Sequence, residues 1–365
     1  MESVLEINNQ CYQLQRYPET EDKSLRAWSN AELMVLDYFF KNKESKKVHL
    51  FNDRFGVWNS VLQKQEVTTI YTYASQQKAI ELNLALNKIE AKVVYKNPLE
   101  SLQQVELALI KIPKSLELFE LFLKQIHRSS TNETEVVCGF MTKYFSTSFL
   151  TIAERYFDVI EQSKAWKKAR LLLLKQPKSK ISDAELIKNI DFKGTVFKQY
   201  YGVFSSGHID IGTQFFLEHL TIYNHEVKIL DLACGNGVIG HKVLELNPNA
   251  EITLLDDFNL AIESSKLNIA SKKATFICNN TLVSLKENSF DVVVSNPPFH
   301  FEYENNIEVS LVLFKEVLAC LKDEGRFVLV ANKHLNYKTH LSLLFKEVTI
   351  IKENAKFTIY ECKKG

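Results

Sequence analysis

The chain lacks the features that mark membrane, secreted and metal-binding proteins. No stretch approaches the roughly 18 consecutive apolar residues of a membrane-spanning helix. Met1–Gln10 has no basic segment before an apolar one, so we expect no signal peptide. The six cysteines are widely spaced and form no Cys-X-X-Cys pair, which argues against a metal site or a disulfide scaffold. We therefore expect reduced thiols, a cytoplasmic location and no metal.

An excess of charge of either sign is also missing. The chain has 45 Lys and Arg against 44 Asp and Glu, a formal net charge of +1. Any basic surface for a nucleic acid therefore has to be local. With 45% hydrophobic and 24% charged residues, the 365-residue chain has the composition of globular domains with buried cores. Its length predicts two domains.

The C-terminal half alternates short β-rich runs with segments of helical spacing, which predicts a parallel sheet with helices on both faces. The predicted strands are Val227–Leu232, Glu251–Asp256, Ala274–Cys278, Phe290–Ser295, Arg326–Ala331, Leu344–Lys352 and Lys356–Cys362. The predicted helices are Val238–Leu246, Leu260–Ala270 and Val309–Leu321.

The N-terminal half has the same order of elements, which suggests an internal duplication. Its predicted strands are Val48–Asn52, Val67–Tyr73 and Val105–Lys111, and its predicted helix is Gln76–Asn87. Superposing the halves pairs Asn52 with Asp231 and Gly56 with Gly235 (offset 179), Leu86-Asn87 with Leu267-Asn268 (181) and Pro113 with Pro298 (185). The alternative is that any two α/β domains share this rhythm.

The halves differ where ligands would bind. Asn52–Gly56 contains a single glycine, and Lys111–Lys114 stands where the other half has Asn296–Phe299. We interpret the N-terminal half as a degenerate copy that has lost its cofactor site and serves for binding.

A basic segment lies between the halves. Lys164–Lys180 contains seven Lys or Arg residues and no acidic residue, with Trp166 among them. Bases interleaved with an aromatic side chain suit phosphate contacts and base stacking, so an RNA contact is one interpretation. A solvated charged face is the other, and Leu171–Leu174 is expected in the core.

A glycine-rich turn after the first strand of the C-terminal half predicts a cofactor site. In Asp231–Gly237, Gly235 and Gly237 allow a tight turn, and the following helix offers free N–H groups. Dinucleotide-binding folds use a related loop, so the turn alone leaves NAD open. Asp256 ends the next strand and suits ribose hydroxyls, while Asn279-Asn280 ends another strand, near an expected adenine edge.

Asn296-Pro297-Pro298-Phe299 follows an apolar strand and predicts the catalytic residues. The prolines fix φ and remove two donors, so rigid carbonyls remain. The Asn296 Oδ1 and the Pro297 carbonyl can accept both hydrogens of a planar NH₂ group, and Phe299 can stack on a base. No metal or strong base is needed, because the cofactor supplies the activated group and the protein supplies position.

These motifs resemble those of Rossmann-like methyltransferases that modify exocyclic amines. The wider match is to the bacterial ribosomal RNA guanine-N2 methyltransferases, which carry a degenerate N-terminal copy of the fold, and Val203–Thr213 resembles the preamble to their catalytic domain. The stretches that resemble the large-subunit branch of that family are Arg16–Pro18, Leu25–Trp28, Phe51–Gly56, Leu109–Pro113, Ala165–Leu171 and Val330–His334.

The resemblance implies two tandem Rossmann-like methyltransferase domains of the α/β class. It implies a degenerate RNA-binding domain over 1–175, a connector over 176–200 and a catalytic domain over 201–365. The implied cofactor is S-adenosyl-L-methionine, and the implied binding residues are Asp231, Ala233, Gly235, Gly237, Asp256, Asn279, Asn280, Asn296 and Thr213. Ala233 departs from the family's usual glycine, and we expect it to be tolerated if its φ is negative.

The implied reaction is methylation of N2 of one guanine in 23S rRNA, on naked or partly assembled RNA, by a monomer. An unpaired or flipped guanine would enter beside Phe299. The alternatives are methylation of 16S rRNA, of adenine N6 or of protein glutamine N5, and an RNA-binding assembly protein without activity.

Overall fold

The computed structural model describes residues 3–20, 22, 24–42, 47–205, 207–297, 300–301, 304–305 and 307–365. Within 300–301 and 304–305 it describes only the main chain. The chain divides into two compact units, Met1–Glu185 and Leu186–Gly365. None of the described helices is both long enough and apolar enough to span a bilayer.

The first unit contains fourteen regular elements in its described residues. They are β1 (Val4–Ile7), β2 (Gln10–Gln13), α1 (Asn30–Asn42), β3 (Lys47–Phe51), α2 (Val57–Val61), β4 (Glu66–Ile70), α3 (Ala74–Leu86), β5 (Val94–Lys96), β6 (Val105–Lys111), α4 (Leu116–Arg128), β7 (Ser130–Met141), α5 (Ser148–Ala153), β8 (Phe157–Gln162) and β9 (Ala169–Pro177). Seven strands form one sheet in the order β5-β4-β3-β6-β7-β9-β8. In this sheet β9 runs in the direction opposite to the other six strands.

The second unit repeats this architecture. Its elements are β10 (Ile187–Phe192), β11 (Thr195–Tyr200), α6 (Ile211–His219), β12 (Lys228–Leu232), α7 (Val238–Leu246), β13 (Glu251–Asp256), α8 (Asn259–Asn268), β14 (Ala274–Cys278), β15 (Phe290–Ser295), β16 (His300–Phe301), β17 (Glu304–Asn305), α9 (Glu308–Cys320), β18 (Leu321–Asn332), α10 (Tyr337–Leu341), β19 (Glu347–Glu353) and β20 (Phe357–Lys363). The sheet order is β14-β13-β12-β15-β18-β20-β19, with β20 antiparallel.

The two sheets therefore have the same strand order, which confirms the predicted pair of tandem Rossmann-like domains. Both units also begin with a hairpin, and in each an asparagine of a helix bonds to main chain within or just after that hairpin. Asn83 in α3 accepts from the main-chain N–H of Gln15 at 2.8 Å and donates to its carbonyl at 2.8 Å. Asn268 in α8 makes the same pair of bonds to Lys198, at 2.7 and 2.8 Å. A shared helix-to-hairpin contact of this kind supports duplication over coincidence.

The register corrects the predicted superposition at its first landmarks. Gly56 and Gly237 both precede a helix with positive φ, +73° and +81°, so Gly56 pairs with Gly237 and not with Gly235. The residue numbers of Gly56 and Gly237 differ by 181, whereas those of corresponding residues in β6 and β15 differ by 185. The difference of four residues is the extra helical turn of α7, which has nine residues against five in α2.

The central strands carry the core on both faces. Ile229 and Val292 belong to one apolar cluster, whereas the next residues, Leu230 and Val293, belong to another on the opposite face. Such two-sided burial is why parallel strands read as continuous apolar runs. It places all polar ligand-binding groups at the strand ends.

The segment predicted as a connector over 176–200 is largely folded. It contains the hairpin of β10 and β11, whose main chain bonds to α8 at Asn268 and, through the Tyr200 N–H, at Ser264 Oγ (3.0 Å). The boundary between the compact units falls inside this segment, after Glu185.

A buried ion pair holds the second unit together at the amino ends of its strands. Arg326 in β18 donates to Glu226 at 2.6 and 2.9 Å, to Glu361 at 2.7 Å and to the Thr221 carbonyl at 2.6 Å. Arg326 and Glu226 are only 7% and 6% exposed. The many charge-assisted bonds offset the desolvation of both ions.

We expect Arg326→Met to lower the free energy of unfolding of the second unit by about 3–5 kcal/mol, because the Glu226 carboxylate would remain buried without its cation. Lys193→Met, which removes the exposed pair with Glu218, should cost less than about 1 kcal/mol. Urea unfolding followed by far-UV circular dichroism measures this. The three tryptophans (Trp28, Trp58, Trp166) all lie in the first unit, so the fluorescence transition should stay unchanged. Equal losses in the two variants would contradict the prediction.

Candidate active site

The functional groups of the second unit meet at one edge of its sheet. β12 pairs in parallel with β13 on one side and β15 on the other, so the carboxyl ends of these strands lie together. The Gly235 N–H donates to Asp256 Oδ2 at 3.0 Å, and the Asn279 N–H donates to the Asp256 carbonyl at 2.9 Å. The loops after β12, β13 and β14 are therefore joined at Asp256.

The turn after β12 has three residues in the left-handed region. Ala233, Gly235 and Gly237 have φ of +58°, +55° and +81°. A Cβ on Gly237 would lie 2.9 Å from the Ser265 Cβ, so close packing requires glycine there. A Cβ on Gly235 would meet nothing within 4 Å, so that glycine faces open space. The φ of Ala233 is positive, so the condition under which alanine would be tolerated is not met, and its Cβ strains the turn.

Asp231 is fully buried beneath this turn. Its Oδ2 accepts from the Gly240 N–H at 2.8 Å in the first turn of α7, whereas its buried Oδ1 has no partner among the described residues. Burial raises the pKa of Asp231 to about 7, and the neighbouring Asp256 adds to the rise. A donor with positive charge would suit this oxygen.

Asp256 has both oxygens engaged by the main chain. Besides Gly235, the Phe258 N–H donates to its Oδ1 at 2.9 Å just before α8. Burial raises the pKa of Asp256 to about 6, although these two bonds lower it. Each carboxylate oxygen can accept a second hydrogen bond, so the group can hold the loop and still accept from a hydroxyl.

Asn279 and Asn280 follow β14 at the same edge. The Asn280 N–H donates to Asn279 Oδ1 at 2.9 Å, and Asn279 Nδ2 lies 3.4 Å from Ser284 Oγ. Both side chains are half-buried. The predicted asparagine pair is thus placed beside Asp256, whose carbonyl holds the Asn279 main chain.

Asn296 follows β15, and two residues at the start of α6 hold its side-chain amide. Its Nδ2 donates to Thr213 Oγ1 at 2.9 Å and to Asp210 Oδ2 at 3.3 Å. An ionised carboxylate only accepts, so the amide must present its NH₂ group to Asp210 and turn Oδ1 away. Oδ1 thereby becomes an oriented acceptor.

Asp210 is a site residue that the sequence reasoning missed. It caps α6, where its Oδ2 also accepts from the Thr213 N–H at 3.1 Å. An Asp three residues before a Thr reads as an ordinary helix cap. The structure brings Thr213 to Asn296. Its predicted contact with the cofactor remains a prediction.

A pocket of about 230 Å³ opens beside Asn296. It is smaller than the roughly 300–1,000 Å³ of sites for drug-sized ligands and suits one flat ring system. Pro297 is part of its wall, whereas Pro298 and Phe299 lie outside the described residues. The lining residues are Asp210, Asn296, Pro297, Ala331, Asn332, Leu335, Tyr337, Lys356 and Phe357.

In the first unit, a side chain fills the place that corresponds to the glycine turn after β12. Arg54, at the position of Gly235, is 1% exposed. Its guanidinium lies 5.2 Å from the Tyr73 ring centroid and donates to Ser75 Oγ at 2.7 Å. Tyr73 and Ser75 lie after β4, where a ligand would contact the sheet edge. The open space over Gly235 therefore has no counterpart.

The position of Asn296 is also changed in the first unit. Lys111 stands there, and its Nζ lies 2.8 Å from Glu32 Oε1. Glu32 is 181 positions before Thr213, the partner of Asn296. A neutral amide and hydroxyl are replaced by an ion pair. The NH₂-accepting geometry is absent there.

We expect Ala233→Gly to raise the free energy of unfolding of the second unit by about 0.5–1 kcal/mol, because glycine adopts positive φ without a clash. Ala233→Val should lower the free energy of unfolding, since a β-branched residue is strongly disfavoured there. Urea unfolding of the three proteins measures both effects. Destabilisation by glycine would show that the left-handed turn is wrong.

Comparisons with known proteins agree with this division of the chain. Residues 2–179 match the RLMG N-terminal domain family, and residues 194–361 match the methyltransferase small domain family. A solved T. thermophilus structure, the 16S rRNA N2 G1207 methyltransferase (RsmC) in complex with AdoMet and guanosine, has a TM-score of 0.77 and 19% identity. The match covers 99% of this chain and 97% of that one, and it shows a shared fold.

A curated relative is similar over the full length of both proteins. The ribosomal RNA large subunit methyltransferase G of Psychromonas ingrahamii is 32% identical over 384 aligned residues, which cover 100% of each chain. Identity at this level over the whole length goes beyond a shared fold. The chain belongs to the ribosomal RNA large subunit methyltransferase G family.

Proposed function

We propose that the second unit transfers the methyl group of S-adenosyl-L-methionine to the exocyclic N2 amine of one guanine in 23S rRNA. The observation that carries this proposal is the fixed amide of Asn296 beside a pocket of single-ring-system size. Family membership supports the choice of 23S rRNA, because the curated relative is named as a large-subunit enzyme.

The proposed chemistry rests on position. Asn296 Oδ1 and the Pro297 carbonyl accept the two hydrogens of the guanine NH₂ group. Accepting both hydrogens turns the nitrogen toward the methyl donor, and alignment of this kind is a large part of the rate enhancement of two-substrate enzymes. Asp210 and Thr213 act as positioning residues, because they hold the Asn296 amide in its accepting orientation.

The residues around the glycine turn fit the cofactor. Asp231 Oδ1 is a buried acceptor that an ammonium group would satisfy, and Gly235 leaves room above the turn. Asp256 would accept from ribose hydroxyls, with Asn279 and Asn280 next to the adenine. The bound cofactor supplies an electrophilic methyl group on a sulfonium.

The substrate guanine has to be unpaired or flipped out. N2 of a paired guanine lies in the minor groove of the helix, and a stacked, paired base cannot enter a pocket. Phe299 would stack on the base. A naked or partly assembled large subunit would expose such a base, in the bacterial cytoplasm, to a monomeric enzyme.

The first unit, residues 1–175 in the predicted division, would bind RNA. Arg54 and the Lys111–Glu32 pair leave it no cofactor or amine site of the kind in residues 201–365. A domain that keeps its fold while losing its chemistry still offers a surface. We therefore assign it to substrate binding.

The test is methylation of protein-free transcripts of 23S and 16S rRNA by the purified chain and S-adenosylmethionine, followed by nucleoside mass spectrometry. One N2-methylguanosine per 23S transcript is expected, with little on the intact large subunit. N2-methylguanosine on 16S rRNA alone would favour the small-subunit alternative. N6-methyladenosine, or transfer to glutamine in a peptide, would reject guanine as the target, and no transfer would favour a non-enzymatic assembly role.

Asn296→Ala should lower kcat at least about 100-fold, because the amine loses its oriented acceptor. Asn296→Asp keeps an oxygen acceptor but cannot donate to Asp210 or Thr213, so it should be similarly impaired. Single-turnover methylation of 23S rRNA measures both. Asn249→Ala, at an exposed turn, is the matched control. Full activity of Asn296→Asp would show that the fixed orientation is unnecessary.

Binding of the product S-adenosylhomocysteine should tighten as pH rises from about 6 to about 8. Below their raised pKa values of about 7 and about 6, Asp231 and Asp256 hold protons that binding must displace. Calorimetry in buffers of different ionisation enthalpy should detect proton release. Asp231→Asn keeps an acceptor for the Gly240 N–H and should bind weakly, with a smaller pH dependence. An unchanged pH dependence would exclude Asp231.

A further inference from the structure

One tight turn of the first unit presents three exposed lysines beside an exposed tryptophan. β8 is connected to β9 through Trp166-Lys167-Lys168-Ala169, in which the N–H and carbonyl of Trp166 and Ala169 bond to each other at 2.9 and 2.8 Å. Lys164, Trp166, Lys167 and Lys168 are exposed, with Trp166 at 42%. Lys167 Nζ lies 4.8 Å from the Trp166 ring centroid. We call Lys164–Lys168 the tryptophan turn.

The rest of the basic segment has a different role. Leu171, Leu172 and Leu174 are buried in β9, as predicted. Lys175 lies 3.6 Å from Glu161, and Lys178 lies 2.6 Å from Asp158. Among the described residues of this segment, Lys164, Lys167 and Lys168 of the tryptophan turn have no acidic partner, and neither does Lys180.

The backbone of the turn is unfavourable for its residues. Lys167 and Lys168 have φ of +44° and +63°, the two positive values of a type I′ hairpin turn. Asn-Gly is the preferred pair at these positions, and two lysines are poor there. Strained conformations persist where function selects the side chains.

The tryptophan turn lies at the edge of the sheet that corresponds to the candidate active site. The Lys168 carbonyl accepts from the Thr142 N–H at 2.8 Å, and the Lys167 carbonyl accepts from Asn30 Nδ2 at 2.8 Å. In the second unit the Lys356 carbonyl accepts from the Lys333 N–H at 2.9 Å in the same way. Lys356 lines the pocket beside Asn296. The tryptophan turn is therefore the counterpart of a pocket wall.

A second exposed cation adjoins the turn. Lys143, the residue after Thr142, is exposed, and its Nζ lies 4.5 Å from the Tyr144 ring centroid. The edge thus presents cations next to aromatic rings twice. Phosphate binding by lysines combined with stacking on aromatic rings is how proteins hold single-stranded nucleic acids.

We propose that the tryptophan turn binds a single-stranded segment of the rRNA substrate, with an unpaired base on Trp166 and phosphates on Lys167, Lys168 and Lys143. This inference rests on the proposed function for the identity of the RNA. Arg54 fills the position of the predicted cofactor site in this unit, whereas the part of the edge that corresponds to the pocket wall is still exposed. The first unit would then anchor RNA while the second methylates it.

The test is binding of the full chain to a protein-free 23S rRNA transcript across a series of salt concentrations. Trp166→Ala should weaken binding roughly 5- to 100-fold. The double variant Lys167→Asn/Lys168→Gly should lower the slope of log K against log salt by about 1.4, for two single-strand phosphates. Because Asn-Gly suits the turn, the double variant should also unfold at a higher temperature. Opposite changes in stability and affinity exclude misfolding as the cause.

The matched control is Lys88→Gln/Lys92→Gln, which removes the same charge from exposed residues after α3. It should leave the salt slope almost unchanged. In methylation assays Trp166→Ala should raise the KM for RNA and leave kcat and S-adenosylhomocysteine binding unchanged. Wild-type affinity and slope in both turn variants, or an equal loss in the control, would overturn the proposal. If the chain bound 23S rRNA through the turn but methylated no guanine, the function would fail and the RNA surface would stand.

Discussion

The parallel pairing of β12 with β13 on one side and with β15 on the other determines where the functional groups lie. It brings three strand ends to one edge of the sheet, so the residues that follow these strands lie next to one another. Asp256 then joins neighbouring loops through its bonds to Gly235 and Asn279. Because these bonds use main-chain groups, they fix the turn regardless of most side chains around it. The strand order therefore fixes the position of the site, and the polar residues determine what it can bind.

The first unit shows what this scaffold does without the chemistry. Its sheet has the same order, and its turn after β3 shares two of the three left-handed positions, Asn52 and Gly56. Arg54 nevertheless fills the space over the turn, and Lys111 pairs with Glu32 where an amide would be fixed. Arg54, Lys111 and Glu32 thus occupy the positions of Gly235, Asn296 and Thr213, while the fold is unchanged.

Much of this arrangement could be predicted from the sequence because strand ends are marked by strong local signals. Apolar runs followed by Asp231, Asp256, Asn279 and Asn296 give both the fold and the edge where they meet. The superposition of the halves failed at Gly56, because the second unit has two glycines in this turn and only the backbone shows that Gly237 is the one that precedes the helix. The offset then changes from 181 to 185 because α7 is one turn longer than α2, a difference that the sequence does not mark.

Other features depend on partners that are distant in sequence. Asp210 reads as a helix cap, and only the folded chain places it against Asn296, 86 residues later. The sequence predicts the core position of Leu171–Leu174 but does not show that Lys175 and Lys178 pair with Glu161 and Asp158. The sign of φ at Ala233 depends on the turn and not on alanine, whose residue type favours negative φ.

The buried carboxylates separate what the scaffold needs from what the ligand needs. In each unit the helix after the first central strand has an N–H that requires an acceptor, at Asn59 and at Gly240, and these positions are 181 apart. The acceptor is Asp53 in the first unit and Asp231 in the second, and these two residues do not occupy corresponding positions. Burial raises the pKa of both, and each keeps one buried oxygen without a partner among the described residues.

A buried carboxylate at this place is therefore required by the helix and does not by itself indicate a cofactor. What distinguishes the second unit is access: Gly235 leaves open space above the turn, and Arg54 closes it in the first. A side chain in that space is enough to block a ligand, whereas the helix still needs a carboxylate, which each unit supplies from a different position. A domain without a ligand site can therefore still contain a buried carboxylate, although the desolvation of that group lowers its stability.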